Sequence, residues 1–271
     1  MAANNRPDLV EKLTEGIASL TTTENWRRFL EYQSRFHRYS ASNVMLIMLQ
    51  TGGHATKVAG FRAWQKMNRF VRKGEKALYV LAPMVYKRDD TQTPDDDARV
   101  IRGFKYVPVF DISQTDGEEL PSVCNRLAGD DPDGIFGQLK AVAHSIGFTV
   151  EDYDFEGGTN GDCSHLQHLI RVEVSNSPAQ RVKTLAHELA HALLHEQFPD
   201  RKLAELEAES TAYVVCKSLS IETRDYSFGY VAFWAGGGEA AIAGIKASCD
   251  RIQRTAATIL RSFEVGEEAV A

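Results

Sequence analysis

Residues 184–195 read Thr184-Leu-Ala-His187-Glu188-Leu-Ala-His191-Ala-Leu-Leu-His195, and residues 205–212 read Glu205-Leu-Glu-Ala-Glu209-Ser-Thr-Ala212. On a helix, positions i and i+4 share a face, so His187 and His191 can both turn an imidazole nitrogen toward one Zn²⁺. Glu188 lies about 100° further round, beside the ion rather than on it. From there its carboxylate can take a proton from a water that the metal has acidified. A tetrahedral catalytic site needs one further protein ligand and an open corner. The acidic run at 205–209 is the obvious source.

The flanking residues give this segment the punctuation of a helix. Ser177 is an N-cap, Pro178 suits the first helical position, and Gln180 has capping-box spacing. Val182, Leu185, Leu189 and Leu193 then recur at helical intervals, and Pro199 closes the segment. A second helix over about 202–218, capped by Asp200, puts Glu205, Ala208, Glu209 and Ala212 on one face. Glu205 and Glu209 are one turn apart, so one can bind metal while the other accepts a hydrogen bond from a ligand histidine. Glu207 is expected to face solvent. His195 continues the i+4 series, but the spacing of a three-histidine site is absent, and it is expected to support or pack.

Thr184–His195 together with Glu205-x-x-Ala208-Glu209-x-x-Ala212 resembles the ImmA/IrrE zinc metallopeptidases over roughly residues 135–220. The resemblance implies a gluzincin-like fold, zinc held by His187, His191 and Glu205, and Glu188 as general base. That family usually has Asn or Asp after the alanine. Glu209 stands there in this chain, so Glu209 stays open as the alternative ligand or as a carboxylate behind the ligands.

Charge divides the 271 residues. Residues 1–110 hold 18 Lys and Arg against 11 Asp and Glu, while residues 111–271 hold 13 against 26. A basic half on an acidic protein suggests two domains and a polyanionic partner for one of them. Residues 7–36 read as helical, Asn43–Gln50 as a short apolar helix, and Ala77–Tyr86 and Ile101–Phe110 as two strands joined by a polar loop at Arg88–Ala98. Trp26, Phe29, Phe36 and Tyr39 interleave with Arg27, Arg28, Arg35 and Arg38, and Arg69–Lys76 forms a basic turn. Flat rings beside cations are what single-stranded nucleic acid requires, although such aromatics equally serve a core.

The segments Tyr39-Ser-Ala-Ser-Asn43, Phe61-x-x-Trp64, Val71-Arg-Lys-Gly-Glu-Lys76 and Val109-Phe-Asp-Ile-Ser-Gln114 resemble the amino-terminal domain of ArdC-type antirestriction proteins. That resemblance implies single-stranded DNA binding, with Arg35, Arg38, Tyr39, Asn43, Trp64, Arg69, Arg72, Lys73 and Lys76 as candidate contacts. It also implies the observed order, a DNA-binding domain before a metallopeptidase-like one.

The expectation is an α+β protein. Residues 1–115 would form a helix-plus-small-sheet DNA-binding domain, 116–134 a linker rich in Asp, Gly and Pro, and 135–271 the peptidase domain with its carboxy-terminal helices. Leu166–Val174 reads as a strand entering the zinc helix, where it could pair with an extended peptide. Four cysteines without paired spacing, no signal-peptide pattern and no apolar run of membrane length point to a cytoplasmic protein. The expected partners are single-stranded DNA and a protein or peptide substrate. A rival is a non-proteolytic DNA-binding protein with a structural or vestigial zinc site.

Overall fold

The stretch that reads as helical over 7–36 breaks in two at Ser19–Thr22. Thr22 stops one helix and starts the next, its hydroxyl accepting the Asn25 N–H at 3.3 Å. The break separates α1 (Pro7–Ala18) from α2 (Thr23–Arg35), and α3 (Ala41–Thr51) follows with Ser40 accepting the Asn43 N–H. The computed structural model describes residues 6–87, 99–120, 132–197, 200–222, 226–228, 231, 234 and 237–263. The expected polar loop at 88–98, Cys124, Pro199 and Tyr230 lie outside them.

The chain packs as two units. The first takes in the chain up to Gly16 and Met45–Glu119; the second takes in Ile17–Val44 and everything from Leu120. In the first unit β1 (Val58–Ala59), β4 (Arg99–Asp111) and β3 (Leu78–Lys87) form an antiparallel sheet in the order β1-β4-β3. β2 (Arg69–Val71) pairs with β5 (Thr115–Gly117). The β5 strand corrects the expected linker, because 116 and 117 still belong to a ladder. α4 (Phe61–Lys66) drops Trp64 into the core, where its indole N–H donates to the Phe110 carbonyl at 2.9 Å. Asp111 ends β4 by accepting the N–H groups of Thr56, Lys57 and Ser113.

In the second unit α5 (Pro132–Ser145) and α6 (Pro178–Leu194) flank a three-stranded sheet, with α7 (Arg201–Ser218) and α8 (Glu239–Leu260) beyond. The strand order is β6 (Thr149–Tyr153), β8 (Leu169–Glu173), β7 (Gly161–Ser164), with β8 parallel to β6 and antiparallel to β7. The strand expected at 166–174 is therefore the central one, and its edges are already paired. Its alternation puts Ile170 and Val172 fully inside, each contributing about 1.5–3 kcal/mol by burial.

Residues 17–44 depart from the expected division at 115. α2 buries Trp26, Phe29, Leu30 and Gln33 at helical spacing against the second unit. The Trp26 indole N–H donates to Ser210 Oγ of α7 at 3.0 Å, Gln33 donates to the Cys249 carbonyl, and Gln253 donates to the Phe36 carbonyl.

Candidate metal centre

α6 begins as its sequence dictates, with Ser177 Oγ accepting the Gln180 N–H at 3.3 Å. The reciprocal half of the capping box is replaced by a bond from the Gln180 amide to Thr184 Oγ1. Val182, Leu185 and Leu189 are completely buried and seat the helix, which fixes the opposite face toward α7. Asp200 starts α7 by accepting the Leu203 N–H at 3.1 Å.

His187, His191 and Glu205 then converge. The two Nε2 atoms are 3.1 Å apart, and Glu205 Oε2 lies 3.4 Å from that of His187 and 3.7 Å from that of His191. Two nitrogen ligands at about 2.05 Å from one ion and a tetrahedral angle are about 3.3 Å apart, so this triangle has dimensions that could hold a metal ion. Glu209 Oε2 lies instead behind the pair, accepting from His187 Nδ1 at 3.1 Å, while Lys183 Nζ holds its other oxygen at 3.0 Å. Burial alone would lower the His187 imidazole, but Glu205 and Glu209 outweigh it and raise it to about 9. The His187 and His191 imidazoles beside it hold Glu205 far below the carboxylate range.

Glu188 is 7% exposed. Burial pushes its carboxyl up to about 7, with the Glu205 and Asp162 carboxylates adding to the shift and His187 opposing it. Beside it runs β7: a Cβ on Gly161 would stand 3.4 Å from Glu188 Cγ. The Cys163 thiol on the same strand is pushed up to about 12 by burial and by Glu188 and Asp162.

Four residues that α6 and α7 use were not expected at the site. Glu207, expected in solvent, has no exposed side-chain surface and is bound by Arg251, Ser248 and His195. Its spacing within α7 could not reveal the partner helix 41 residues away. His165 Nε2 lies 3.1 Å from the His191 carbonyl. Lys183 buries its ammonium 4.1 Å above the Tyr226 ring, so Tyr226 packs against the Glu209 pair.

The nine candidate DNA contacts divide. Trp64 is fully buried, out of reach of any base, because its indole serves the β4 carbonyl. Arg69 spends its guanidinium on Thr115 and on the Gly117 and Glu118 carbonyls. Arg72 is tied to Glu75, Asp116 and the Ser113 carbonyl. Asn43 is buried, and burial pushes the half-buried Tyr39 hydroxyl up to about 12. Arg35, Arg38, Lys73 and Lys76 are exposed, Arg35 in a surface pair with Glu31. Four aromatics that were not candidates, Phe61, Phe70, Tyr86 and Phe104, present about half their surface or more on the first unit.

Two family profiles match in succession. Residues 6–110 match the N-terminal domain of anti-restriction factor ArdC, and residues 138–216 match the IrrE N-terminal-like domain. The chain thus has an ArdC-like two-domain architecture, mixed helix and sheet. Its fold is shared with the antirestriction protein ArdC of plasmid R388. The metal-free crystal structure of that protein is 22% identical with a TM-score of 0.50, covering 83% of this chain and 85% of that one. The Mn(II)-bound structure is 23% identical with a TM-score of 0.53, covering 84% and 86%. An uncharacterised protein of Bacillus anthracis is 27% identical over 93% of this chain, which spans about 50% of that relative's length. Among the described residues no helix is long and apolar enough to cross a membrane.

Proposed function

We propose that this chain is a zinc-dependent endopeptidase joined to a single-stranded-DNA-binding unit, acting in antirestriction or in the biology of a mobile element. The observation that carries the peptidase reading is the triangle of His187, His191 and Glu205 with Glu188 buried alongside at a carboxyl value near 7. Zinc held there would polarise a scissile carbonyl and acidify a water. Glu188, buried beside that triangle, would take the water proton and hand it to the leaving amine. β7 pairs on one side with β8; its other side offers backbone groups to an extended peptide, and Gly161 lets the strand pack close to α6 beside Glu188. Glu209 and Lys183 orient His187 rather than bind the ion. Free Cys163, Cys216 and Cys249 agree with a reducing, cytoplasmic setting.

The DNA reading rests on the basic 1–110 stretch and, within the first unit, on exposed Lys73, Lys76, Phe61, Phe70, Tyr86 and Phe104; exposed Arg35 and Arg38 belong to the second unit. Trp64, Arg69 and Arg72 shape the first unit instead.

The test is zinc per purified chain, by elemental analysis, in wild type, Glu205→Ala, Glu209→Ala and Glu188→Gln. About one zinc in wild type, lost in Glu205→Ala and kept in the other two, is expected. Glu188→Gln should then cleave nothing that wild type cleaves. Cleavage that survives Glu188→Gln defeats the mechanism, and wild type without zinc after metal is supplied leaves the DNA-binding reading alone.

A further inference from the structure

Behind the three candidate ligands stands a lysine withdrawn from water. Lys183 lies one turn before His187 on α6 and is 8% exposed. Its Nζ is 3.0 Å from Glu209 Oε1, while Glu209 Oε2 is 3.1 Å from His187 Nδ1. The same ammonium stands 4.1 Å from the centroid of the Tyr226 ring. One cation thus meets a carboxylate from α7 and an aromatic face from the segment that follows α7.

Removing an ammonium from water is costly unless other groups replace its hydration. The Glu209 carboxylate does so in one direction, and the electron-rich face of a tyrosine does so in another without adding a charge. An aliphatic side chain in the same place has no such field to offer. Lys183 would then turn its ammonium toward water, and Glu209 would lose the cation that fixes Oε1. A carboxylate free to rotate no longer sets the plane of the imidazole beside it.

The ring is itself held in place. Tyr213 meets it edge-on at 4.9 Å, and Phe228 lies parallel to it at 6.3 Å. The Tyr226 hydroxyl bonds to the Cys216 thiol of α7. Its backbone carbonyl accepts from Arg27 of α2 at 3.4 Å, and the same guanidinium lies 5.7 Å from the Phe228 ring.

We infer that Tyr226 is a positioning residue for the metal centre: the face of its ring holds Lys183, Lys183 holds Glu209, and Glu209 holds His187. The inference rests on the zinc reading above. It extends the support of the site beyond α6 and α7 to a residue that offers the ion no ligand, and through Arg27 to α2.

The test uses the full chain and asks whether the field of the ring matters or only its bulk. Zinc affinity is measured by chelator competition in wild type, Tyr226→Phe and Tyr226→Leu, and in chains carrying phenylalanines of increasing ring fluorination at position 226. Fluorine drains the negative face of the ring while nearly keeping its shape. Tyr226→Phe should bind zinc as wild type does, because it loses only the bond to Cys216. Tyr226→Leu should bind roughly 10-fold more weakly, the low end of what losing an outer partner does, and affinity should fall stepwise with fluorination. In spectra of the wild type, the ring current of Tyr226 should shift the Lys183 ε-methylene upfield. Affinity indifferent to fluorination, a Tyr226→Phe variant as weak as Tyr226→Leu, or a Lys183 methylene at the position of a solvated lysine overturns the inference and leaves the zinc site standing. The fluorinated rings pack as phenylalanine does, so that series decides the matter even where Tyr226→Leu fails to fold. Wild type that takes up no zinc overturns the metal reading and this inference together.

Discussion

Gly161 is the residue at which a single methyl group should report on the packing of β7 against α6. Its φ lies outside the left-handed region, so alanine there meets no backbone penalty, only neighbours. A Cβ would stand 2.6 Å from Thr184 Cγ2 and 2.8 Å from the Arg171 carbonyl oxygen. Carbon atoms sit comfortably at about 3.5–4.0 Å, so the first approach is short by about 1 Å and the second is against backbone that cannot rotate away. Overpacking of this kind costs about 1–3 kcal/mol. Alanine also stiffens the unfolded chain, which returns about 0.4–1 kcal/mol. Sterics win, and Gly161→Ala should lose about 1–2 kcal/mol, or about 2–8 °C in melting temperature for a unit of this size. Thr184→Ser in the same chain deletes Cγ2 yet keeps the hydroxyl that Gln180 uses, so it should recover part of the loss. Calorimetric melts of wild type, the single variant and the double variant read the result. An alanine variant that melts at or above wild type would refute the close packing of β7 on α6, and with it the placement of the strand edge beside Glu188.

Three further outcomes are expected. Burial would by itself raise the Glu207 carboxyl, but bonds from His195, Arg251 and Ser248 hold it below the ordinary value of 4.5, and bonds from Ser175 and Phe155 do the same for Glu173. A depressed carboxylate stabilises the fold above about pH 4.5 and loses that contribution as pH falls through its folded value. Melts between pH 6 and pH 3 should therefore fall less steeply in Glu207→Gln, already destabilised at neutral pH, and an unchanged pH slope would contradict the assignment. Lys73→Glu with Lys76→Glu should weaken binding to a labelled single-stranded oligonucleotide and flatten its logarithmic salt dependence by about 1.4, from about 0.7 for each phosphate left unneutralised; equal affinity at low salt would remove this turn from the interface. Trp64→Ala should cost about 3–5 kcal/mol, seen as loss of the folded first unit in denaturant titration rather than as a clean loss of DNA affinity.

What could be read from the sequence was what local chemistry encodes. Ser177, Pro178 and the leucine stripe announce α6 without help from the rest of the chain, and i, i+4 spacing brings His187 and His191 together on any helix. Asp200 and the apolar–polar rhythm of α7 likewise give Glu205 and Glu209 a common face. Long-range pairing decided the remainder. Glu207 was indistinguishable from a solvated glutamate because Arg251 and Ser248 reach it from another helix. The strand at 169–173 could be found by alternation, but its position between β6 and β7 could not, since a strand's sequence does not state whether its edges are covered. The stripe of Trp26, Phe29 and Leu30 identifies a helix with a buried face and is silent on which core that face joins. The aromatic and arginine pattern misled for the same reason: Trp64 reads identically as a stacking platform and as a plug under β4.

The attachment of α2 to the second unit has a consequence for how the protein is made. Trp26 leaves the ribosome 184 residues before the serine that receives its indole N–H. At synthesis rates of about 5–20 residues per second, that interval is about 10–40 s. Through it, the Met45–Glu119 part of the first unit is translated, and the second unit cannot close until α7 has emerged. A fragment that starts at the expected boundary of 135 would be born without α2, the helix whose Trp26 and Gln33 bond to α7 and α8.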